Sequence, residues 1–383
     1  MPKTAGLTKS LTRGLTQDLF KTPPSSYTNT YALTFDGTND YAQADYQMPA
    51  TNRTISLWTY RPNSGTSTML FDTRESGVTG NFQFLMTQRS SSTGKQRFLY
   101  YNTNGYKLMS GYDYPTAAWY HIVFSKSGTS TTWYVNGSAV STFTDVNDAS
   151  NDQFRIGASK TISNDYSGQI DEFAIFDKAL SASEVTTAYN EGITGDLTSL
   201  SPVVWWRMGD GTQPAADGTN NLVFDQADKT LGSEVLTGFT NGSTYPFDTF
   251  ASSGTSITSA IETSGNWGGC ASNSFSITSG EIYKVTFNLT YNSGADTLRV
   301  VFADSANGAA TQRCAPYYTD TNGVNTVYVK ATATDSTAHL QLGTWHSSDS
   351  INFSASNVSV KPVNGTTLEL FNNTAISDSN VPS

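Results

Sequence analysis

Between residues 31 and 192 the apolar positions fall in short runs set apart by turn residues. The runs predict strands over Tyr31–Phe35, Thr54–Tyr60, Thr68–Asp72, Phe82–Thr87, Arg97–Tyr101, Trp119–Ser125, Thr131–Val135, Gln153–Ile156 and Gln169–Phe176. Asp36-Gly37, Asn104-Gly105, Ser127-Gly128 and Asn136-Gly137 supply turns between them. Strands at this spacing predict a two-sheet sandwich or jelly roll. One helix is expected at the end of the region. Ser181-Ala-Ser-Glu184 has the spacing of a capping box, Glu184–Glu191 would be the helix, and Gly192 its stop.

Residues 236–362 repeat the pattern, with strands predicted over Ser274–Ile277, Ile282–Tyr291, Thr297–Ala303, Asn325–Ala331, His339–Trp345 and Ile351–Lys361. The stretch Glu281–Thr290 alternates apolar and polar, as a strand with one face buried does. The fold class is therefore all-β: two tandem β-sandwich (jelly-roll) domains with a short N-terminal arm.

Three segments fall outside the sandwiches. Residues 1–30 form the arm. In it Leu7, Leu11, Leu15 and Leu19 recur every four residues, which draws a slowly drifting apolar stripe on a helix. Its threonines and Gly14 weaken that helix, so an extended arm is equally open, and Pro23-Pro24 ends it. Lys3, Lys9, Arg13 and Lys21 against Asp18 make the arm basic on an acidic chain, so Leu7, Leu11, Leu15, Leu19 and Arg13 are candidates for an assembly anchor. Residues 193–235 read as a connector packed on the first sandwich. There the Trp205-Trp206 pair is expected to pack between domains, because adjacent strand residues face opposite sides. Residues 363–383 read as a polar C-terminal tail.

Composition narrows the function. Only 14% of the 383 residues are charged, and 47 Ser, 55 Thr and 28 Asn supply the missing polarity. The net charge of -10 disfavours nucleic acid as a partner. No run of about 18 apolar residues offers a membrane span. The first residues, Met1 to Thr8, have no apolar h-region, so no secretory signal is expected. Cys270 and Cys314 are a disulfide candidate because both sit in one domain; two buried thiols in a reduced compartment are the other reading.

Seven segments in order carry a family resemblance: Phe35–Tyr41, Ile55–Trp58, Trp119–Phe124, Trp133–Gly137, Phe154–Gly157, Gly168–Phe176 and Leu180–Glu184. Together they resemble the laminin-G-like, concanavalin A-like jelly roll, which is also related to pentraxins. The resemblance implies the fold, and implies function less narrowly, since that fold hosts lectins, adhesion modules and glycosidases alike. In the second region Gly265-Asn-Trp-Gly-Gly269 and the closing Phe353–Val360 resemble carbohydrate-binding modules of the family 4/9 type. Such modules usually close with an Asp that supports calcium; Ser356 stands there instead.

The search for chemistry favours binding over catalysis. A glycosidase needs two carboxylates about 5–10 Å apart, and the Glu-x-Asp-x-x-Glu of related β-glucanases is absent. Asp171-Glu172 is the nearest candidate, but neighbours on a strand point to opposite faces. No zinc spacing, nucleophile elbow or phosphate loop occurs, so no enzyme activity, no catalytic residue and no cofactor is expected. Calcium is the one ion left open, because Asp36–Asp40, Asp145–Asp152 and Asn164-Asp165 are oxygen-rich. Where the pentraxin resemblance would place an acidic cluster, the chain has Ala158-Ser-Lys-Thr161. Sugar binding needs aromatic faces with polar tips. Two clusters qualify: Tyr101, Tyr106, Tyr112 and Tyr114, with Tyr100 beside them, and Trp267, Tyr317, Tyr318 and Trp345. Trp58, Trp119 and Trp133 read as core.

Both recognised domain types usually work outside cells, yet no export signal is read. A bacteriophage virion protein reconciles the two. The expectation is a non-enzymatic structural protein on the particle surface: a capsid decoration, head fibre or tail-fibre adhesin. It would be made in the host cytoplasm, held by other virion proteins, self-associated as a homo-oligomer and in contact with a cell-surface glycan. A secreted bacterial lectin is the alternative, and a glycoside hydrolase a lesser one.

Overall fold

The computed structural model describes residues 31–62, 67–73, 83–89, 96–102, 105–108, 114–144, 153–159, 164–194, 196–208, 212–214, 221–223, 225–227, 230–263, 268–294, 297–306, 310–344, 350–371 and 375–377. The arm candidates Leu7, Leu11, Arg13, Leu15 and Leu19 lie outside them. The described elements build an all-β molecule of four antiparallel sheets in two sandwich-like bodies. The second body, Thr230–Asn364, interrupts the first, which resumes at Gly365.

In chain order the first body contains β1 (Ala32–Asp36), β2 (Tyr41–Asp45), β3 (Asn52–Tyr60), β4 (Thr68–Asp72), β5 (Gln83–Arg89), β6 (Gln96–Asn102), β7 (Gly105–Leu108), β8 (Trp119–Ser127), β9 (Ser130–Val135), β10 (Ser138–Thr144), β11 (Gln153–Ile156), β12 (Ser167–Phe176), α1 (Ala182–Thr194), β13 (Val204–Trp206), β14 (Thr212–Pro214) and β15 (Asn221–Val223). The second contains β16 (Phe239–Asn241), β17 (Thr249–Ser253), β18 (Ser256–Glu262), β19 (Gly269–Ser272), β20 (Phe275–Ile277), β21 (Ile282–Gly294), β22 (Leu298–Ala303), β23 (Tyr317–Thr319), β24 (Gly323–Lys330), β25 (Asp335–Gly343) and β26 (Ile351–Pro362). Finally β27 (Leu368–Phe371) and β28 (Ala375–Ser377) return to the first body.

One sheet of the first body runs β10-β9-β8-β3-β12-β1-β28, with β13 also paired to β12; the other runs β14-β15-β27-β2-β11-β4-β5-β6-β7. The central strands β3, β8 and β12 of the first are buried on both faces. Ile122, Phe124, Phe173 and Ile175 point into the core between the sheets, while Val123, Ala174 and Phe176 pack beneath α1 with Val185 and Ala188. That is why these strands read as nearly unbroken apolar runs. The Trp205-Trp206 expectation needs correction here. Trp206 fills the core between the sheets and Trp205 the layer under the helix, both fully buried, so the pair is core of one body on two faces of one sheet.

The helix starts as its capping box predicts. Ser181 N donates to Glu184 Oε2 at 2.8 Å, and Glu184 N donates to Ser181 Oγ at 3.3 Å. It does not stop at Gly192 but runs to Thr194. One interior glycine costs only about 1 kcal/mol against alanine, too little to end a helix alone. The segment read as a polar tail also behaves differently. Leu368 and Leu370 alternate inward, and β27 pairs with β2 and β15 while β28 pairs with β1.

The second body packs β16-β19-β25-β22-β23, with β20 on β25, against β17-β18-β26-β21-β24. Val285, Phe287 and Leu289 of the alternating stretch point into its core, as predicted, and meet Phe302, Leu340 and Leu342 there.

Candidate functional site

A shallow trough lies at Gly269 on the outer face of the second body. Across β19, β25, β22 and β23 the register aligns Gly269, Gly343, Arg299 and Tyr318 in one row, and Cys270, Leu342, Val300 and Tyr317 in the next. Successive strand residues face opposite sides. Cys270, Leu342 and Val300 lie in the core and Tyr317 packs against it, so the glycine row faces away from the core. The outer side of Gly269 is open, a Cβ there meeting nothing nearer than Leu342 O at 3.8 Å, while the Gly268 backbone fills the space over Gly343; Arg299 and Tyr318 continue the row. Beside it lies a small cleft of about 30 Å³, partly open to solvent, lined by Arg299, Tyr245, Gln341 and Thr344.

Backbone contacts fix the trough. A Cβ on Gly343 would sit 2.3 Å from the Gly268 carbonyl oxygen, so no larger residue fits. Thr344 and Gly268 are tied twice: Thr344 N donates to Gly268 O at 2.8 Å, and Gly268 N donates to Thr344 Oγ1 at 3.0 Å. Thr344 therefore accepts through its oxygen and keeps a hydroxyl proton to give. The Tyr245 turn is pinned by Gly269 N donating to Tyr245 O and Gly242 N donating to Gly269 O. Gln341 Nε2 donates to Ser305 O at 2.8 Å, which holds the amide in place. Arg299 is 7% exposed. Burial lowers its pKa, while the Tyr318 hydroxyl beside it acts the other way. The arrangement offers one aromatic face at the rim, 42% exposed at Tyr318, a second tyrosine, a guanidinium, an amide and a hydroxyl.

Of the second aromatic cluster, Tyr318 is brought to this face and Tyr317 is turned to the core. Trp267 and Trp345 lie outside the described residues; their chain neighbours Gly268 and Thr344 line the cleft. The first cluster does not assemble as one surface. Tyr100 is core, with its ring 5.0 Å from that of Phe124. Tyr114 packs against the same core, 5.1 Å from Tyr120. Tyr101, half-buried, pairs in register with Tyr106. Tyr112 is outside the described residues. Alternation explains the split, since Tyr100 and Tyr101 are strand neighbours.

Sequence reasoning passed over Arg299, Tyr245, Gln341 and Thr344. The available signal was a symmetry: Trp267 is followed by Gly268-Gly269, and Trp345 is preceded by Gly343-Thr344.

The remaining chemical candidates have structural partners. Asp171 Oδ1 accepts from Glu172 N. Glu172 accepts from Trp205 Nε1 and from Arg207 Nε, and is 1% exposed. Asp36 and Asp40 organise their own turn, and Asp165 Oδ2 accepts from Asn39 N at 2.9 Å. Asp145–Asp152 is outside the described residues, and among those described no group of three His, Cys, Asp or Glu side chains is placed to hold a metal. The disulfide candidate is corrected: Cys270 and Cys314 are separate buried thiols. Cys270 Sγ donates to Leu342 O, and Cys314 Sγ accepts from Phe302 N. Burial raises both pKa values, that of Cys314 to about 12. Among the described residues no helix is long and apolar enough to cross a membrane.

Residues 36–186 match the model of the concanavalin A-like lectin/glucanases superfamily, so the first body carries a jelly-roll domain of the concanavalin A-like lectin/laminin G kind. Among solved structures the chain is similar to a candidate carbohydrate-binding protein of Bacteroides ovatus (16% identity, 54% of this chain and 57% of that one, TM-score 0.41). It is also similar to domain 4 of AbnA, an extracellular arabinanase of Geobacillus stearothermophilus (20% identity, 41% and 86%, TM-score 0.31). Mouse laminin α1 domains LG4-5 align over 93% of this chain and 90% of theirs (11% identity, TM-score 0.31). No curated protein matches.

Proposed function

We propose that the chain is a non-enzymatic glycan-binding protein displayed on the surface of a bacteriophage particle, as a capsid decoration, head fibre or tail-fibre adhesin. One observation carries the glycan part. The trough at Gly269 is edged by the outward Tyr318 and by the polar Arg299, Gln341 and Thr344, an aromatic face beside polar partners of the kind that meets a sugar ring and its hydroxyls. The described lining holds no carboxylate, and general acid–base hydrolysis of a glycosidic bond runs on a carboxylate pair. The virion part is supported by the sequence: a basic leucine-repeat arm on a chain of net charge -10, and a surface rich in Ser, Thr and Asn. In this reading the arm holds other virion proteins, the chain self-associates, and the sandwiches face the host.

Antibody labelling of particles from the source tests the reading. Label over head or tail supports it, and the position separates decoration from attachment. Chain found only free or on bacterial cells overturns the virion part and favours a secreted lectin. Deleting residues 1–24 should leave both bodies folded and abolish incorporation; normal incorporation of the truncated chain removes the arm as anchor.

A further inference from the structure

We infer that the second body acts as the turn of a hairpin that closes the first: it holds Thr230 beside Asn364, and that hold seats the strand Leu368–Phe371 in the jelly roll. The inference is independent of the glycan and virion readings. β15 and β27 are antiparallel neighbours, with Asn221 opposite Leu370 and Val223 opposite Leu368. The whole of Thr230–Asn364 lies between them in the chain. At its two ends the antiparallel pairing resumes. Leu231 bridges Val363, Gly232 N donates to Pro362 O at 2.9 Å, and Val235 N donates to Val360 O at 3.0 Å. Asn364 bonds Thr230 twice, N to O at 3.1 Å and Nδ2 to Oγ1 at 2.8 Å. Partners thus converge along the sequence as they do in a hairpin, 221 with 370, 223 with 368, 231 with 363 and 232 with 362.

The seated strand matters to the first body. Leu368 and Leu370 belong to its core. Trp206 Nε1 donates to Thr366 O at 2.7 Å, Thr366 N donates to Asp225 Oδ2 at 3.2 Å, and the Phe371 ring stacks on Tyr41 at 4.6 Å. Without the strand two core positions empty and a buried indole loses its acceptor. Its return across a free connection as long as Thr230–Asn364 is costly, because closure weakens with about the three-halves power of length. With Thr230 clasped to Asn364 the connection behaves as a loop of about five residues, which raises the local concentration of the strand roughly a hundredfold.

Hydrogen exchange of the full chain, read by mass spectrometry over β2, β8, β21 and β27, tests the role. Asn364 and Gly365 are exposed, so Gly/Ser residues inserted between them touch no core. Inserts of about twelve and about twenty-four residues should speed exchange over β27 about sixfold and about fourteenfold, following the length dependence of the tether. β8 in the first core and β21 in the second should stay as slow as in the unaltered chain. Gly232→Val strikes the clasp itself, since a Cβ there would stand 2.4 Å from Pro362 Cγ. It should speed exchange over residues 358–363 and over β27 together. Exchange of β27 that does not change with insert length overturns the inference. So does a Gly232→Val chain in which residues 358–363 exchange at least tenfold faster while β27 does not. Should Gly232→Val not fold, the insert series decides alone.

Discussion

Trp205 donates its indole N–H to the carboxylate of Glu172 at 2.5 Å, beneath the helix-covered face of the jelly roll. The carboxylate also meets Arg207 Nε at 2.9 Å. Glu172 sits at a break in the β12–β3 register with a φ of 46°, so the backbone turns its side chain towards the tryptophan layer. One carboxylate thus satisfies an indole and a guanidinium in a place with almost no water.

This gives the strongest stability prediction. Glu172→Ala should cost about 3–5 kcal/mol, because it breaks a buried ion pair. Urea unfolding of the variant measures the loss. A catalytic role predicts the opposite outcome: undiminished stability together with lost release of reducing sugar from a polysaccharide panel.

His121 carries a pH dependence. Its Nε2 lies 2.8 Å from Ser56 Oγ, and its ring packs against Trp58 and Tyr189. Burial depresses its pKa from 6.5 to about 3. Between those values the unfolded chain binds a proton that the folded chain refuses. Stability from this group is therefore whole above about pH 6.5 and falls as the pH drops towards 3, by up to about 1.4 kcal/mol per unit. His121→Gln should be less stable at pH 7 yet show a flatter slope from pH 6.5 to 4. An unchanged slope in urea titrations would assign the dependence to other groups.

The cysteines should behave as protected thiols. Raised pKa values leave them protonated and poor nucleophiles at neutral pH. A thiol reagent should find neither in the native chain, and both after denaturation without any reductant. No reaction in denaturant until reductant is added would mean a disulfide.

The jelly roll was readable because each strand signature is local and the central strands β3, β8 and β12 are buried on both faces, which keeps them largely apolar. Strands such as Ile282–Tyr291 were readable from alternation alone. The trough was not. Its opening is the absent side chain at Gly269, and its row joins residues 19 to 74 positions apart in sequence through register that no local pattern encodes. The return of Leu368–Phe371 to β2 was hidden for the same reason: its partner lies at Tyr41–Gln43. Tyrosines were visible as a type, but whether each faced the core or solvent depended on parity within a three-residue strand.

That parity yields the sharpest test of the site, because Tyr317 and Tyr318 are neighbours with opposite surroundings. Tyr317 packs against the core of the second body, so Tyr317→Ala should remove buried aromatic area and cost about 3 kcal/mol, in line with large-to-small core changes. Tyr318 stands 42% exposed beside Arg299, so Tyr318→Ala should leave the melting temperature within a degree or two. Its effect should appear in binding instead. Loss of one stacked ring is worth about 1 kcal/mol, a several-fold weakening of polysaccharide retention. Thermal melts and affinity electrophoresis of the two variants, side by side, read both quantities. If Tyr318→Ala destabilises the protein and Tyr317→Ala does not, the register drawn across β22 and β23 is off by one residue, and the trough loses its rim. If neither variant changes retention, the saccharide sits elsewhere on the molecule.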